Sequence, residues 1–360
     1  MMSSKERFAA ALSHREPDRV PIDYLASPQA DAAVKKYYDI NTETELLDIL
    51  GSDFYYLSCR DISQNESCLP FYRGSRAKID GERRICPFGI EWQRGAYDSK
   101  FAVDDSIQGP LKNAQSESDI LEYSWPEVSE FDFSAFGSEI EANRGRVIVG
   151  GFWSGILGDC YRMMGFENFL LNIALKPDMV KTLINRMTDF YLEMNNSLFT
   201  LFKGKIDIWF FGNDFGSQSG LLFSREMIEE FFVPGIRVLS DNAKSHGLNV
   251  MMHSCGAISE VVPMFIDAGV EIIDPVQVTA VGMDPQSLKD SCGDKVTFHG
   301  GIDTQHLLPN EDAQRVYAES RRIIDIMSAG GGYIFAPSQI LGGDIPAENI
   351  DAMYRAARSC

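Results

Sequence analysis

The stretch Ser245-His246-Gly247-Leu248-Asn249-Val250-Met251-Met252-His253-Ser254-Cys255-Gly256 contains one complete unit of the architecture. Gly247 closes a helical pattern, as glycine does just past a helix end. The run 248–253 is apolar almost throughout, as in a strand covered on both faces. It then stops in a histidine, a serine and a cysteine. A helix, a covered strand and a polar strand end are the repeating parts of a parallel α/β sheet that carries its chemistry at one rim.

The unit recurs along the chain. Short β-rich runs at 19–24, 53–58, 146–152, 206–211, 248–253, 271–274, 295–299 and 332–336 alternate with helical stretches such as 177–202, 224–246, 258–268 and 310–329. Ser224 before Arg225-Glu226-Met227 is a helix-start signal. Eight covered strands with helical returns predict an α/β fold, a (β/α)8 TIM barrel spanning residues 1–360 as one domain. Residues 61–143 break the rhythm: they are polar and rich in turn residues, with Gly74, Gly81, Pro87, Gly89, Gly95 and Pro110. This is read as an insertion after the second strand that forms a lid or wall of the active site, with 71–79 and 85–92 as a hairpin or small sheet. There is no internal repeat and no low-complexity tract.

With 360 residues, 44% of them hydrophobic, the chain has material for a sizeable core. Its 33 basic and 52 acidic residues leave a net charge of −19. That balance argues against nucleic acid or an anionic membrane as partner and leaves small-molecule substrates in view. No apolar run reaches the length of a membrane span, and no apolar signal core follows the first charges, so a cytoplasmic location is expected. The seven cysteines (59, 68, 86, 160, 255, 292 and 360) are odd in number and lack framework spacing, which predicts reduced thiols.

In such a barrel the strand ends form the catalytic face. Read in order they supply Asp214 and Gln218 after the fourth strand, His253 and Cys255 after the fifth, and Asp274 and Gln277 after the sixth. The seventh gives His299 and Asp303, and the eighth Ser338 and Gln339. An imidazole and a thiol two residues apart on an extended segment point the same way and suit a borderline-soft metal such as zinc. The plain alternative is a buried strand-end histidine beside a structural cysteine. Asp214 is either a ligand or a solvated loop residue, Asp303 either functional or a helix cap, and His299 either functional or packed under its glycine turn. The amides Gln277 and Gln339 neither donate nor take up protons, so they bind or orient. Cys292 precedes the seventh strand and falls at the opposite rim; His14, His246 and Trp209-Phe210-Phe211 read as structural.

These blocks resemble the uroporphyrinogen decarboxylase superfamily over nearly the whole chain. Gly150-Gly151-Phe152-Trp153-Ser154-Gly155 resembles the third-strand block, followed by Met164-Gly165 and Pro177. Ser224 through Pro234 resembles a family helix, and Phe298-His299-Gly300-Gly301-Ile302-Asp303 the turn after the seventh strand. Gly330-Gly331-Gly332-Tyr333-Ile334-Phe335-Ala336-Pro337, with 344–350, is similar to the C-terminal signature. The resemblance implies a (β/α)8 barrel, often dimeric, so a homodimer is expected.

Two chemistries share that resemblance. True decarboxylases use no metal and grip their substrate through an arginine-rich segment near the N-terminus. Here Pro21-Ile22-Asp23-Tyr24-Leu25-Ala26-Ser27-Pro28 contains no arginine, so a substrate with eight carboxylates lacks its clamp. Arg60, Asp61 and Tyr161 are what remains of a decarboxylase-like set. The zinc-dependent corrinoid methyltransferases carry His-x-Cys after the fifth strand and a further cysteine after the eighth. His253 and Cys255 match the first two ligands, while Gln339 stands where the third would be, leaving Asp214, another carboxylate or the substrate to complete the set. The leading expectation is a methyltransferase with zinc and a corrinoid as methyl carrier, free or on a docking corrinoid protein, and a small-molecule substrate such as a thiol. Asp214, His299 and Asp303 are its candidate catalytic groups; Gln218, Gln277, Ser338, Gln339, Tyr161 and Arg60 are its candidate substrate contacts. A metal-free decarboxylase and a non-catalytic ligand-binding barrel are the alternatives.

Overall fold

The structure, a computed structural model, describes residues 1–64, 66–94 and 104–359. Gly95, one of the turn residues of the insertion, and Cys360 lie outside the described residues. In chain order the strands begin with β1 (Phe54–Tyr56), then β2 (Lys78–Asp80), β3 (Arg83–Ile85), β4 (Glu91–Arg94) and β5 (Asp104–Gln108). They continue with β6 (Val147–Gly150), β7 (Ile208–Gly212), β8 (Asn249–His253), β9 (Ile272–Val276), β10 (Thr297–Ile302) and β11 (Tyr333–Pro337). Strands β1-β6-β7-β8-β9-β10-β11 form one parallel sheet, and β2 to β5 an antiparallel one.

The run 19–24, expected as the first strand, is not a regular strand. Ile22 makes a single parallel bridge to Phe335. Phe335 N–H donates to Pro21 O at 2.8 Å, Asp23 N–H to Phe335 O at 2.9 Å, and Asp53 N–H to Ile22 O at 2.7 Å. A three-residue segment thus ties β11 to the chain entering β1, joining both edges of the curled sheet into a TIM-barrel-like ring. Two donors that would extend the ladder are unavailable to it: Pro21 has no N–H, and the Ile22 N–H donates to the Asp53 carboxylate at 2.9 Å.

Strand parity separates an inner from an outer face. Val147, Val149, Ile208, Phe210, Met251, Ile272 and Ile334 pack together inside the barrel, with Phe8 of the helix Ser4–Leu12 among them. Ile148, Trp209, Phe211, Val250, Met252 and Ile273 join the larger layer between strands and helices. Each such fully buried large side chain contributes about 1.5–3 kcal/mol over its exposed state. The same alternation puts His253 on the inner face with Met251, and Asp274 with Ile272. Both therefore point into the C-terminal mouth.

The helical expectations hold with local breaks. The stretch 224–246 is two helices, Arg225–Phe231 and Val233–Ser245, because Pro234 lacks the N–H that a continuous helix needs and starts a new one instead. The stretch 258–268 narrows to Val262–Asp267, and 310–329 to Ala313–Met327. In the insertion the small-sheet alternative holds: the ends of 71–79 and 85–92 lie in one antiparallel sheet, with Lys78 opposite Ile85. Phe71 ends a 3-10 turn (Glu66–Phe71), and the pairing runs β2-β3-β4-β5. That turn carries Cys68 back to Cys59, with 4.8 Å between their Cα atoms, and the two form a disulfide. The expectation of reduced thiols is corrected for this pair, since a local turn makes a bridge that the spacing did not announce. Cys86, Cys160, Cys255 and Cys292 are free. Among the described residues, no helix is long and apolar enough to cross a membrane.

Candidate active site

Register places the strand ends side by side: Gly212 pairs with His253, and His253 with Asp274. His299 sits where the β9–β10 register shifts between Phe298 and Gly300. Asp274 therefore lies between two imidazoles. Its Oδ2 is 2.5 Å from His253 Nδ1 and its Oδ1 2.5 Å from His299 Nδ1. His299 Nε2 lies 2.9 Å from Asp23 Oδ2, which also accepts the Tyr56 hydroxyl at 2.5 Å. The Tyr354 hydroxyl holds the Asp23 carbonyl at 2.9 Å. A buried relay thus runs from Tyr56 through Asp23, His299 and Asp274 to His253.

Its charges are set by the enclosure. Burial opposes protonation of His299, but Asp274 and Asp23 on its two nitrogens outweigh that and raise it to about 9. His299 is therefore an imidazolium at neutral pH, donating at both ends. Burial would push Asp274 up, yet the two imidazoles hold it well below the usual carboxylate range. For His253, too, burial lowers and the Asp274 charge leads the effects that raise it; the net direction without a bound cation is upward. Burial and then Asp23 push the Tyr56 phenol far above its ordinary value, keeping it a donor.

The relay fixes His253 by Nδ1 and frees Nε2. That atom lies 3.5 Å from Asp214 Oδ1, and one ligand atom each from Asp214, His253 and Cys255 fit within 4.8 Å of one another. Two loops are responsible. The Asn213 N–H donates to His253 O at 2.9 Å, the Phe215 N–H to Ser254 Oγ at 3.1 Å and the Ala257 N–H to Ser217 O at 2.8 Å. Cys255 N–H donates to Asp214 Oδ1 at 3.1 Å. Gly256, with φ +88°, lets the backbones touch: a Cβ there would meet Gly216 C at 2.6 Å. The donor set is one nitrogen, one sulfur and one carboxylate, with the second imidazole nitrogen held by a carboxylate. That suits zinc and leaves a fourth position for a substrate. Cys255 is the one free cysteine, among the described residues, that is not buried.

Beside this cluster is a cavity of about 270 Å³ lined by Arg60, Trp153, Phe210, His253, His299 and Gln339, among others. Trp153 packs on His253 with ring centres 5.4 Å apart. The other sequence-derived candidates take varied places. Ser338 lines the cavity with its hydroxyl bound to Val276 O at 2.8 Å, and Gln277 is buried, accepting the Gly256 N–H at 2.8 Å. Gln277 therefore holds the loop that carries His253 and Cys255 rather than presenting its amide to the cavity. Gln218 lies in a neighbouring polar cleft, 3.4 Å from Gln305. Asp303 is not drawn to the cavity: it accepts the N–H groups of Gln305, His306 and Leu307, the capping role weighed above. Tyr161 also stays outside the cavity lining, against Phe166 and under Arg162. Sequence reasoning missed Asp23, Tyr56 and the role of Asp274. The available signal for Asp274 was a carboxylate inside an otherwise apolar covered strand.

The profile of the uroporphyrinogen decarboxylase (URO-D) family matches residues 134–360, more than half of the chain. No curated protein sequence matches. Among solved structures, a methyltransferase from Methanosarcina mazei superposes over 100% of this chain and 99% of its own, with a TM-score of 0.72 at 16% identity. Xylanase 10B from Thermotoga maritima matches 68% of this chain and 85% of its own, with a TM-score of 0.40 at 12% identity.

Proposed function

Because the chain belongs to the uroporphyrinogen decarboxylase family, we propose that it is a zinc-dependent methyltransferase moving a methyl group between a corrinoid and a compact small-molecule substrate such as a thiol. The observation that carries this reading is the convergence of Asp214, His253 and Cys255, with His253 Nδ1 tied to Asp274. The fold it shares with a solved methyltransferase agrees with it.

Asp214, His253 and Cys255 would hold the metal, Asp214 standing in for the cysteine that Gln339 replaces. Zinc there would supply Lewis acidity, favouring the thiolate over the thiol, which is mostly protonated at neutral pH. The chain's own residues do the rest. Asp274 fixes the tautomer and plane of His253, and imidazolium His299 holds Asp274 in place. Trp153 and Phe210 wall the reacting end from water. The corrinoid, free or on a partner protein, would approach from the open rim. The cavity is below the roughly 300–1,000 Å³ of sites for drug-sized ligands, so its occupant is small. A tetrapyrrole with eight carboxylates would find one arginine in the lining, which counts against the decarboxylase reading.

Elemental analysis of protein purified without an affinity metal or chelator tests this. About one zinc per chain is expected, lost in Cys255→Ser and His253→Ala, together with methylcobalamin-dependent methylation of a thiol by the wild type. Equal metal content in wild type and both variants would reject the assignment.

A further inference from the structure

Arg60 leaves one group in the cavity without a protein partner. It follows β1, and its guanidinium lines the same cavity as His253. The guanidinium carbon lies 4.5 Å from the Tyr56 ring centre and 6.0 Å from that of Phe210. Among the described residues it makes no hydrogen bond or ion pair. Nearby Asp61 is engaged elsewhere: it accepts from Ser63 N–H and Oγ–H, and from the Gln64 backbone and Nε2. Tyr56 is likewise committed to Asp23. A half-buried guanidinium that lies by aromatic rings and makes no hydrogen bond to the protein leaves its N–H donors open to water or a ligand in the cavity. Burial lowers its pKa against the upward pull of Tyr56, Asp23, Asp61 and Asp274, and an arginine stays charged.

We infer that Arg60 anchors a carboxylate of the substrate, and that the substrate is a compact carboxylic acid whose methyl-carrying or methyl-accepting atom faces His253 and Cys255. A guanidinium with no protein hydrogen bond keeps its N–H fork available, and a planar carboxylate pairs with such a fork through two parallel hydrogen bonds. The Phe210 ring gives the scale: its centre is 6.0 Å from the guanidinium and 6.4 Å from the His253 ring centre. Those two distances set only an upper limit on the separation of anchor and reacting end, and it is the cavity of about 270 Å³ that keeps the occupant compact. The assignment of the reacting end rests on the methyltransferase reading; the anchor rests on Arg60 alone.

Calorimetry with 3-(methylthio)propionate and its neutral amide tests it on wild type, Arg60→Gln, Arg60→Lys and Cys255→Ser. The wild type is expected to prefer the acid by about 10- to 100-fold, the contribution of hydrogen bonds to a charged group. Cys255→Ser should keep that preference, Arg60→Gln lose it, and Arg60→Lys keep part of it. Equal binding of acid and amide by the wild type, binding of neither, or a preference that survives in Arg60→Gln would overturn the proposal. If Arg60→Gln melts below the assay temperature, Arg60→Lys decides, because an unchanged preference there would show that the fork is not used. Acid preference in a protein that neither binds zinc nor transfers methyl would sink the methyltransferase reading and leave the anchor standing. Zinc binding without acid preference would do the reverse.

Discussion

His299 gives the clearest case of a residue whose chemistry is set by position. It sits between Asp23 and Asp274 and is raised from 6.5 to about 9 by their charges against the opposing effect of burial. A histidine more basic in the folded than in the unfolded chain stabilises the fold while it is protonated. Its contribution is therefore complete below about pH 6.5, declines above that, and is gone beyond about 9. Metal-free wild type should lose urea resistance between pH 7 and 10, and His299→Gln should lose less over the same interval. Parallel pH profiles for the two proteins would contradict the relay. Nothing in the chain's periodicity announces this contact, since Asp23 and His299 are 276 positions apart. His253 and Cys255 were legible because their spacing is local. Asp274 was visible as a strand-end carboxylate, but its bridging role requires the β8–β9–β10 register.

At the level of elements, the site depends on how closely two loops approach. Gly256 combines φ +88° with a Cβ position 2.6 Å from Gly216 C and 2.7 Å from Ser217 O. Alanine there must strain its backbone and push the 213–218 loop away, carrying Asp214 with it. Gly256→Ala is expected to cost about 1–3 kcal/mol in urea denaturation and to weaken zinc binding in a chelator competition. Gly247→Ala is the control: its φ is +80° but nothing lies within 4 Å of its Cβ, so it should lose stability and keep zinc affinity. Identical zinc affinities for the two variants would separate the glycine from the site. The covered strands were readable because continuous apolar runs have few other uses. The ring closure at Pro21–Asp23 was read too generously as a strand, because the competing acceptor, the Asp53 carboxylate, comes from another element. Likewise the Cys59–Cys68 pair depends on a 3-10 turn that no hydrophobic pattern marks.

For the molecule as a whole, the net charge of −19 is the dominant long-range term. Self-repulsion destabilises a compact acidic chain, and salt relieves it. Salt also screens attractive ion pairs, so the sign of its effect depends on where those pairs lie. Exposed ones, such as Arg144–Glu141 at 79% and 67% side-chain exposure, contribute little even at low salt. The pairs that matter are enclosed: Asp53 is 1% exposed and bridges Arg7 and Arg19 at 2.7 Å each, beneath the ring closure. Water and ions reach such a pair poorly, so screening acts mainly on the repulsion between surface carboxylates. Moving from about 0.01 M to about 0.15 M sodium chloride shortens the screening length from roughly 30 to 8 Å. The urea midpoint of the wild type should rise over that range. Asp53→Asn should be less stable by about 3–5 kcal/mol, because Arg19 loses its carboxylate partner and Arg7 keeps only Asp18, and yet gain from salt by the same increment. A falling midpoint in the wild type would mean that surface attraction, not net repulsion, governs the folded state. A salt response lost in Asp53→Asn would place the screened interaction at the closure itself.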